Sequence, residues 1–106
     1  MGTQTASVEV VHPYVERRPG VQGGRPVIKG SRFLVSSLVQ NYRRGLSAEE
    51  ILREFPHLRP AEVYDALSYY DDHRAEIDQE IAELTDVKEA MRRYPPTLSP
   101  ANDDRR

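Results

Sequence analysis

Six basic side chains, Arg25, Lys29, Arg32, Arg43, Arg44 and Arg59, are the residues of this chain best suited to chemistry, and that chemistry is the binding of phosphate. Five of them lie in PGVQGGRPVIKGSRFLVSSLVQNYRRGLSAEEILREFPHL, from Pro19 to Leu58, and Arg59 follows directly. Guanidinium and ammonium groups in loops and at helix ends reach phosphate oxygens. Each phosphate neutralised releases counterions, so such binding weakens steeply with salt. The bland alternative is a set of solvated charges, with Arg32 held against a carboxylate. The charge is also segregated along the chain. Through Ala48 there are seven basic residues against two acidic ones, and from Glu49 to Tyr94 thirteen acidic against six basic. The formal net charge of -2 hides this split. A basic front and an acidic back imply two kinds of partner.

Catalytic chemistry has less support. His12, His57 and His73 show no metal-ligand spacing, and His73 with Asp72 and Glu76 makes at best a weak site on one helical face. No G-x-x-x-x-G-K-[ST] or G-x-G-x-x-G pattern occurs, and Ser36 and Ser37 have no His and Asp nearby in sequence. Cysteine is absent, which removes disulfides and thiolate chemistry. The expectation is a protein without enzymatic activity, metal or cofactor.

The elements that must position the six basic residues are short. Val8, Val10 and Val11 form a β-prone run, and Tyr14 to Arg17 a second extended piece. Val27-Ile28 and Phe33-Leu34-Val35 flank the turn Lys29-Gly30-Ser31-Arg32 and read as a hairpin. Val35, Leu38, Val39 and Tyr42 recur at i, i+3, i+4, i+7, so a helix begins at Ser36 or Ser37 and closes at Gly45. Ser47 and Glu50 have the spacing of a capping box for a second helix, which Pro56 stops. Pro60 opens a third helix with Val63, Ala66, Leu67 and Tyr70 on its buried side. The reading is a mainly α protein: a helix-turn-helix or winged-helix-like three-helix core, short N-terminal strands, and a C-terminal helical extension. Residues 1–72 form the domain, 73–94 an acidic helical arm, and 95–106 a disordered tail.

In the arm, Ile77, Ile81, Leu84 and Met91 make a narrow heptad-like stripe among many charges. Such a stripe either packs on another chain or lies across one side of the core. With Arg92 and Arg93 it is the candidate partner-binding surface. No stretch approaches the roughly 20 apolar residues that span a bilayer, and the N-terminus lacks the pattern of a signal peptide. These features predict a soluble, cytoplasmic protein with no membrane partner.

The ordered phrases PGVQGGRPVIKGSRFLV and GLSAEEILREFPHLRPAEVYDAL resemble the domain-of-unknown-function 433 family over about Tyr14 to Asp72. Ser31 stands where that pattern usually reads Thr. The resemblance implies a small VapB-type antitoxin-like protein, usually a homodimer, which neutralises a PIN-type ribonuclease toxin and binds its own promoter DNA. The arm lies outside the pattern and inherits nothing from it.

The third helix is an awkward recognition helix. Such helices offer Arg, Lys, Asn or Gln to base edges, whereas this one offers Arg59, Glu62, Asp65, Ser68 and Tyr69. Two carboxylates would face phosphates. The competing reading is a protein-interaction adaptor that binds no nucleic acid and works through its acidic helix.

Overall fold

The computed structural model describes residues 11–93. The expected run at Val8 and Val10 and the tail beyond residue 94 lie outside the described residues. The elements are β1 (Val15–Glu16), a single 3-10 turn (Gln22–Gly24), β2 (Val27–Ile28), α1 (Val35–Arg43), α2 (Ala48–Glu54), α3 (Pro60–Asp72) and α4 (Arg74–Arg93). The chain is therefore mainly helical, with a short antiparallel sheet at its N-terminal end.

The strands add a pairing to the expected hairpin. β2 runs antiparallel to β1, with Val15 opposite Ile28 and Glu16 opposite Val27. The expected pairing across the Lys29–Arg32 turn forms in short form, as an antiparallel bridge between Val27 and Leu34 flanked by Ile28 N–H on the Phe33 carbonyl at 2.9 Å and Val35 N–H on the Pro26 carbonyl at 3.1 Å, and Val35 already begins α1. Two-residue strands leave register to side-chain ties, and Glu16 supplies them. Its carboxylate accepts the Gly30 N–H at 2.8 Å and pairs with Arg18, whose guanidinium also donates to the Ser31 carbonyl at 3.0 Å. The leading loop needs glycine. Gln22, Gly23 and Gly24 all have positive φ, at 51°, 65° and 81°, and Gln22 is held there by donating its side-chain amide to the Arg32 carbonyl at 2.7 Å.

The helix boundaries follow local chemistry. α1 ends where Gly45 turns left-handed at φ +100°. At α2 the reciprocal capping box forms: Ser47 Oγ accepts the Glu50 N–H at 3.1 Å, and Glu50 accepts the Ser47 N–H at 2.7 Å. Those bonds hold the Glu50 carboxyl below its usual range. Pro60 occupies the first turn of α3, where Glu62 accepts the Arg59 N–H at 2.8 Å.

Ile28, Val35, Leu38, Val39, Ile51, Leu58, Val63, Ala66, Tyr70, Ile77 and Ile81 form one core. Ile77 and Ile81 correct two expectations. Their residues are 0% and 8% exposed, buried by this chain, so they do not face a partner. The first half of α4 is consequently part of the domain, and no boundary at residue 72 separates it. A break at His73, φ -130° and ψ 41°, turns α4 back across the bundle. Asp78 then ties three helices together, accepting from Tyr70 OH of α3 at 2.8 Å and pairing with Arg43 of α1 at 3.5 Å.

Candidate nucleic-acid and partner surfaces

The six basic candidates do not form one patch. Lys29 and Arg32 are exposed on the turn after β2, and Arg25 is half-buried behind them with its guanidinium on the Gln22 carbonyl. Among the described residues Arg32 has no carboxylate partner; that structural role belongs to Arg18. Arg59 joins this group through Tyr14. Its guanidinium lies 5.1 Å over the Tyr14 ring, and the Tyr14 carbonyl accepts the Lys29 N–H at 2.8 Å. Phe33 completes the junction, with its ring 5.6 Å from His57 in the turn between α2 and α3.

Arg43 and Arg44 sit at the far end of α1. Its nine residues separate them from Arg32 by roughly 15 Å of helix and turn. Arg43 is engaged with Asp78, and Arg44 with Asn41. The helix dipole also favours both where they stand. The phosphate-facing candidates thus contract to Lys29, Arg32 and Arg59, with Arg25 in support.

α3 is further from a recognition helix than its sequence suggested, because the N-terminal segment occupies one of its faces. His12 is clamped between two of its carboxylates: Nδ1 lies 3.2 Å from Asp65 Oδ1, and Nε2 2.8 Å from Asp72 Oδ2. Asp65 also accepts the Tyr14 N–H at 2.7 Å. Beside the clamp Tyr69 stacks on His73 at 4.0 Å and receives Arg17 Nη2 on its hydroxyl at 3.2 Å, while Arg17 pairs with Glu76. Asp65, Tyr69 and Asp72 share a helical face, and that face is used internally. The outward positions Ala61, Tyr64, Ser68 and Asp71 include no base. Asp72, His73 and Glu76 point to different partners, and among the described residues no cluster of three or more His, Asp or Glu is arranged for a metal ion.

The candidate partner surface contracts to the outer half of α4. At 20 residues α4 is about 30 Å long, against about 13 Å for the nine-residue α1 on which it packs. Ile77 and Ile81 are covered. Leu84 is half-buried, whereas Val87 and Met91 are 55% and 53% exposed. Arg92 and Arg93 are exposed beyond them, with Arg92 paired to Glu89. A groove of about 480 Å³ runs beside this stretch between Leu34, which precedes α1, with Ser37 and Gln40 of α1, and Leu84, Lys88 and Arg92 of α4. Two buried side-chain oxygens on these helices, Ser36 Oγ and Glu80 Oε2, have no hydrogen-bond partner.

Residues 15–70, more than half of the chain, match the model of a family described as Protein of unknown function (DUF433). The chain belongs to the DUF433 family. It is also similar to a solved DUF433 member protein from Anabaena variabilis ATCC 29413. Identity is 30% and the TM-score 0.61, over 74% of this chain and 78% of that one. No curated protein matches. The DUF433 segment holds the β1–β2 pair, Arg25, Lys29, Arg32, Arg59 and Asp65. It excludes His12, Asp72 and all of α4, so the clamp and the candidate partner surface draw on residues outside the family match. No described helix is long and apolar enough to cross a membrane.

Proposed function

We propose that this DUF433 protein is a non-enzymatic antitoxin of a type II toxin–antitoxin pair. It acts as a homodimer that covers a PIN-like ribonuclease toxin and binds its own promoter DNA. The observation that carries this reading is the overrun of α4. Its apolar stripe leaves the core after Ile81 and continues through half-buried Leu84 to exposed Val87 and Met91, ending at Arg92 and Arg93. An exposed apolar strip with a basic end suits a surface that closes over an acidic nuclease site. Lys29, Arg32 and Arg59 supply the promoter-facing charge.

The test uses two variants. Ending the chain at Glu83 keeps Ile77 and Ile81, so the core survives while the overrun is lost. Neutralisation of the nuclease encoded beside it should then disappear. Retained neutralisation rejects the arm. Separately, Lys29→Ala with Arg32→Ala and Arg59→Ala should reduce the slope of log affinity against log salt by up to about 3 in a gel-shift series. Arg43→Ala with Arg44→Ala should leave it nearly unchanged.

A second reading, an adaptor that binds no nucleic acid, is favoured by the absence of a base at Ala61, Tyr64, Ser68 and Asp71 on the outer face of α3. It requires that no promoter fragment shift at low salt.

A further inference from the structure

We infer that the cleft between α1 and α4 is a docking groove for an acidic peptide segment of a partner protein, about five residues long in extended form. The inference deepens the antitoxin reading and rests on it for the partner's identity. It also reverses the roles: a piece of the partner lies in this protein, where before α4 lay over the partner.

The groove beside Leu84 does not end there. Gln40 lines that space of about 480 Å³ and also a second one of about 300 Å³, together with Arg43, Arg44 and Ile81. The two follow one line along α1. Leu34 and Ser37 stand across from Leu84 and Lys88, and Arg44 stands across from Ile81, so the helices run antiparallel. The ten residues from Leu34 to Arg44 cover roughly 15 Å of helix. About five residues of extended chain span that length.

The lining is basic in a chain of formal net charge -2. Arg43, Arg44, Lys88 and Arg92 line the groove against one carboxylate, Glu89. Arg43 is engaged with Asp78, and Arg92 with Glu89. Arg44 meets the neutral Asn41, and Lys88 has no carboxylate partner among the described residues. The arginine pair that stands apart from Lys29 and Arg32 thus has a surface of its own.

The wall sets the chemistry of the occupant. Lys88 lies seven residues beyond Ile81, about 10 Å along α4. Two carboxylates about three residues apart in an extended chain therefore reach Arg44 and Lys88 together. Between these cations the floor is apolar, with Ile81 buried and Leu84 half-buried, and it takes an aliphatic or aromatic side chain. Ser37, Gln40 and Thr85 add hydroxyl and amide groups for the peptide backbone. Nucleic acid suits the groove less. Among the described residues no aromatic side chain lines either part, so a single strand finds no stacking platform.

The probe is a displayed library of random nine-residue peptides, selected on the full chain. Selected sequences should share two Asp or Glu residues three or four positions apart, with Leu, Ile, Val or Phe between them. The consensus peptide, carrying a fluorescein label, should bind in an anisotropy titration and bind more weakly as salt rises. Arg44→Glu with Lys88→Glu should weaken it at least about tenfold. Arg53→Glu, which lines neither part of the groove, should not. Arg44 and Lys88 are exposed, so thermal unfolding should hardly move. Thr85→Trp fills the groove without changing a charge and should weaken binding as well. Selection of basic or neutral peptides, or of none, overturns the inference. So does a consensus peptide indifferent to Arg44, Lys88 and Thr85. A twelve-nucleotide single strand that binds where no peptide does, and loses to the same double variant, also overturns it and gives the groove to nucleic acid. Peptide binding without neutralisation of the neighbouring nuclease leaves the groove standing and removes the toxin as its partner. Neutralisation with no peptide selected does the reverse, so the two failures are separable.

Discussion

Replacing Asp65 by alanine tests whether the N-terminal segment is structural or merely resting on α3. Asp65 is largely buried, with a side-chain exposure of 12%, and it holds two groups at once: His12 Nδ1 at 3.2 Å and the Tyr14 N–H at 2.7 Å. Leaving a buried N–H without an acceptor costs about 1–3 kcal/mol, and a hydrogen bond involving a charged group contributes about 1.5–3 kcal/mol. The two share one carboxylate and are not additive, so the expected loss is about 2–4 kcal/mol. That is a large fraction of the roughly 5–15 kcal/mol that stabilises a small domain. The chain has no tryptophan, so urea unfolding is best followed by circular dichroism at the helical band. The midpoint should fall by about 1–3 M. Asp65→Asn keeps an acceptor for Tyr14 and should lose about half as much. In a His12→Ala background the effect of Asp65→Ala should shrink by about 1 kcal/mol or more, because the clamp is already open. A loss below about 0.5 kcal/mol for Asp65→Ala, the range of ordinary surface substitutions, would refute the reasoning.

Tyr70 should ionise above the ordinary tyrosine range. Its burial comes first among the causes that raise its pKa, followed by the hydrogen bond that its hydroxyl donates to Asp78. The raised value means that the neutral phenol stabilises the fold fully below about pH 10, the ordinary tyrosine value, and that this stability is lost as pH rises through the shifted one. Tyr70→Phe should remove the late component of an alkaline absorbance titration, and an unchanged curve would count against the burial. Ser47→Ala should destabilise the chain by about 1 kcal/mol through loss of the α2 cap. The Glu50 carboxyl is held below its usual range by that cap, so its share is present above the unfolded value and is lost as pH falls through the lowered one. The wild-type advantage over Ser47→Ala should therefore narrow in acid, as measured by unfolding at pH 7 and at pH 3.

What was legible in the sequence was what local chemistry decides. Ser47 and Glu50 are three residues apart, and Pro60 needs only its own first turn, so α2 and α3 could be placed before any tertiary contact was known. The β1–β2 pairing was not legible, because strands of two residues carry no alternation. Their register depends on Glu16 reaching Gly30 and Arg18. The clamp was hidden for a different reason: His12 meets Asp65 and Asp72 across 53 and 60 residues. The apolar stripe of α4 was visible, but which half is core depends on where α1 ends in space. The same fact splits the basic front, since Arg32 and Arg43 stand at opposite ends of that helix.

The clamp also has a kinetic meaning. Helix contacts in α1 to α3 close short loops. Bringing His12 to Asp72 closes about 60 residues, which in a flexible chain costs roughly 3–4 kcal/mol of entropy. That contact gains nothing until α3 exists to present its carboxylates. Docking of the segment from His12 to Glu16 therefore comes late in folding, and its release comes early in unfolding. The strap is a timer as well as a tie: α3 shows its bare acidic face to the surroundings during the interval before the strap arrives.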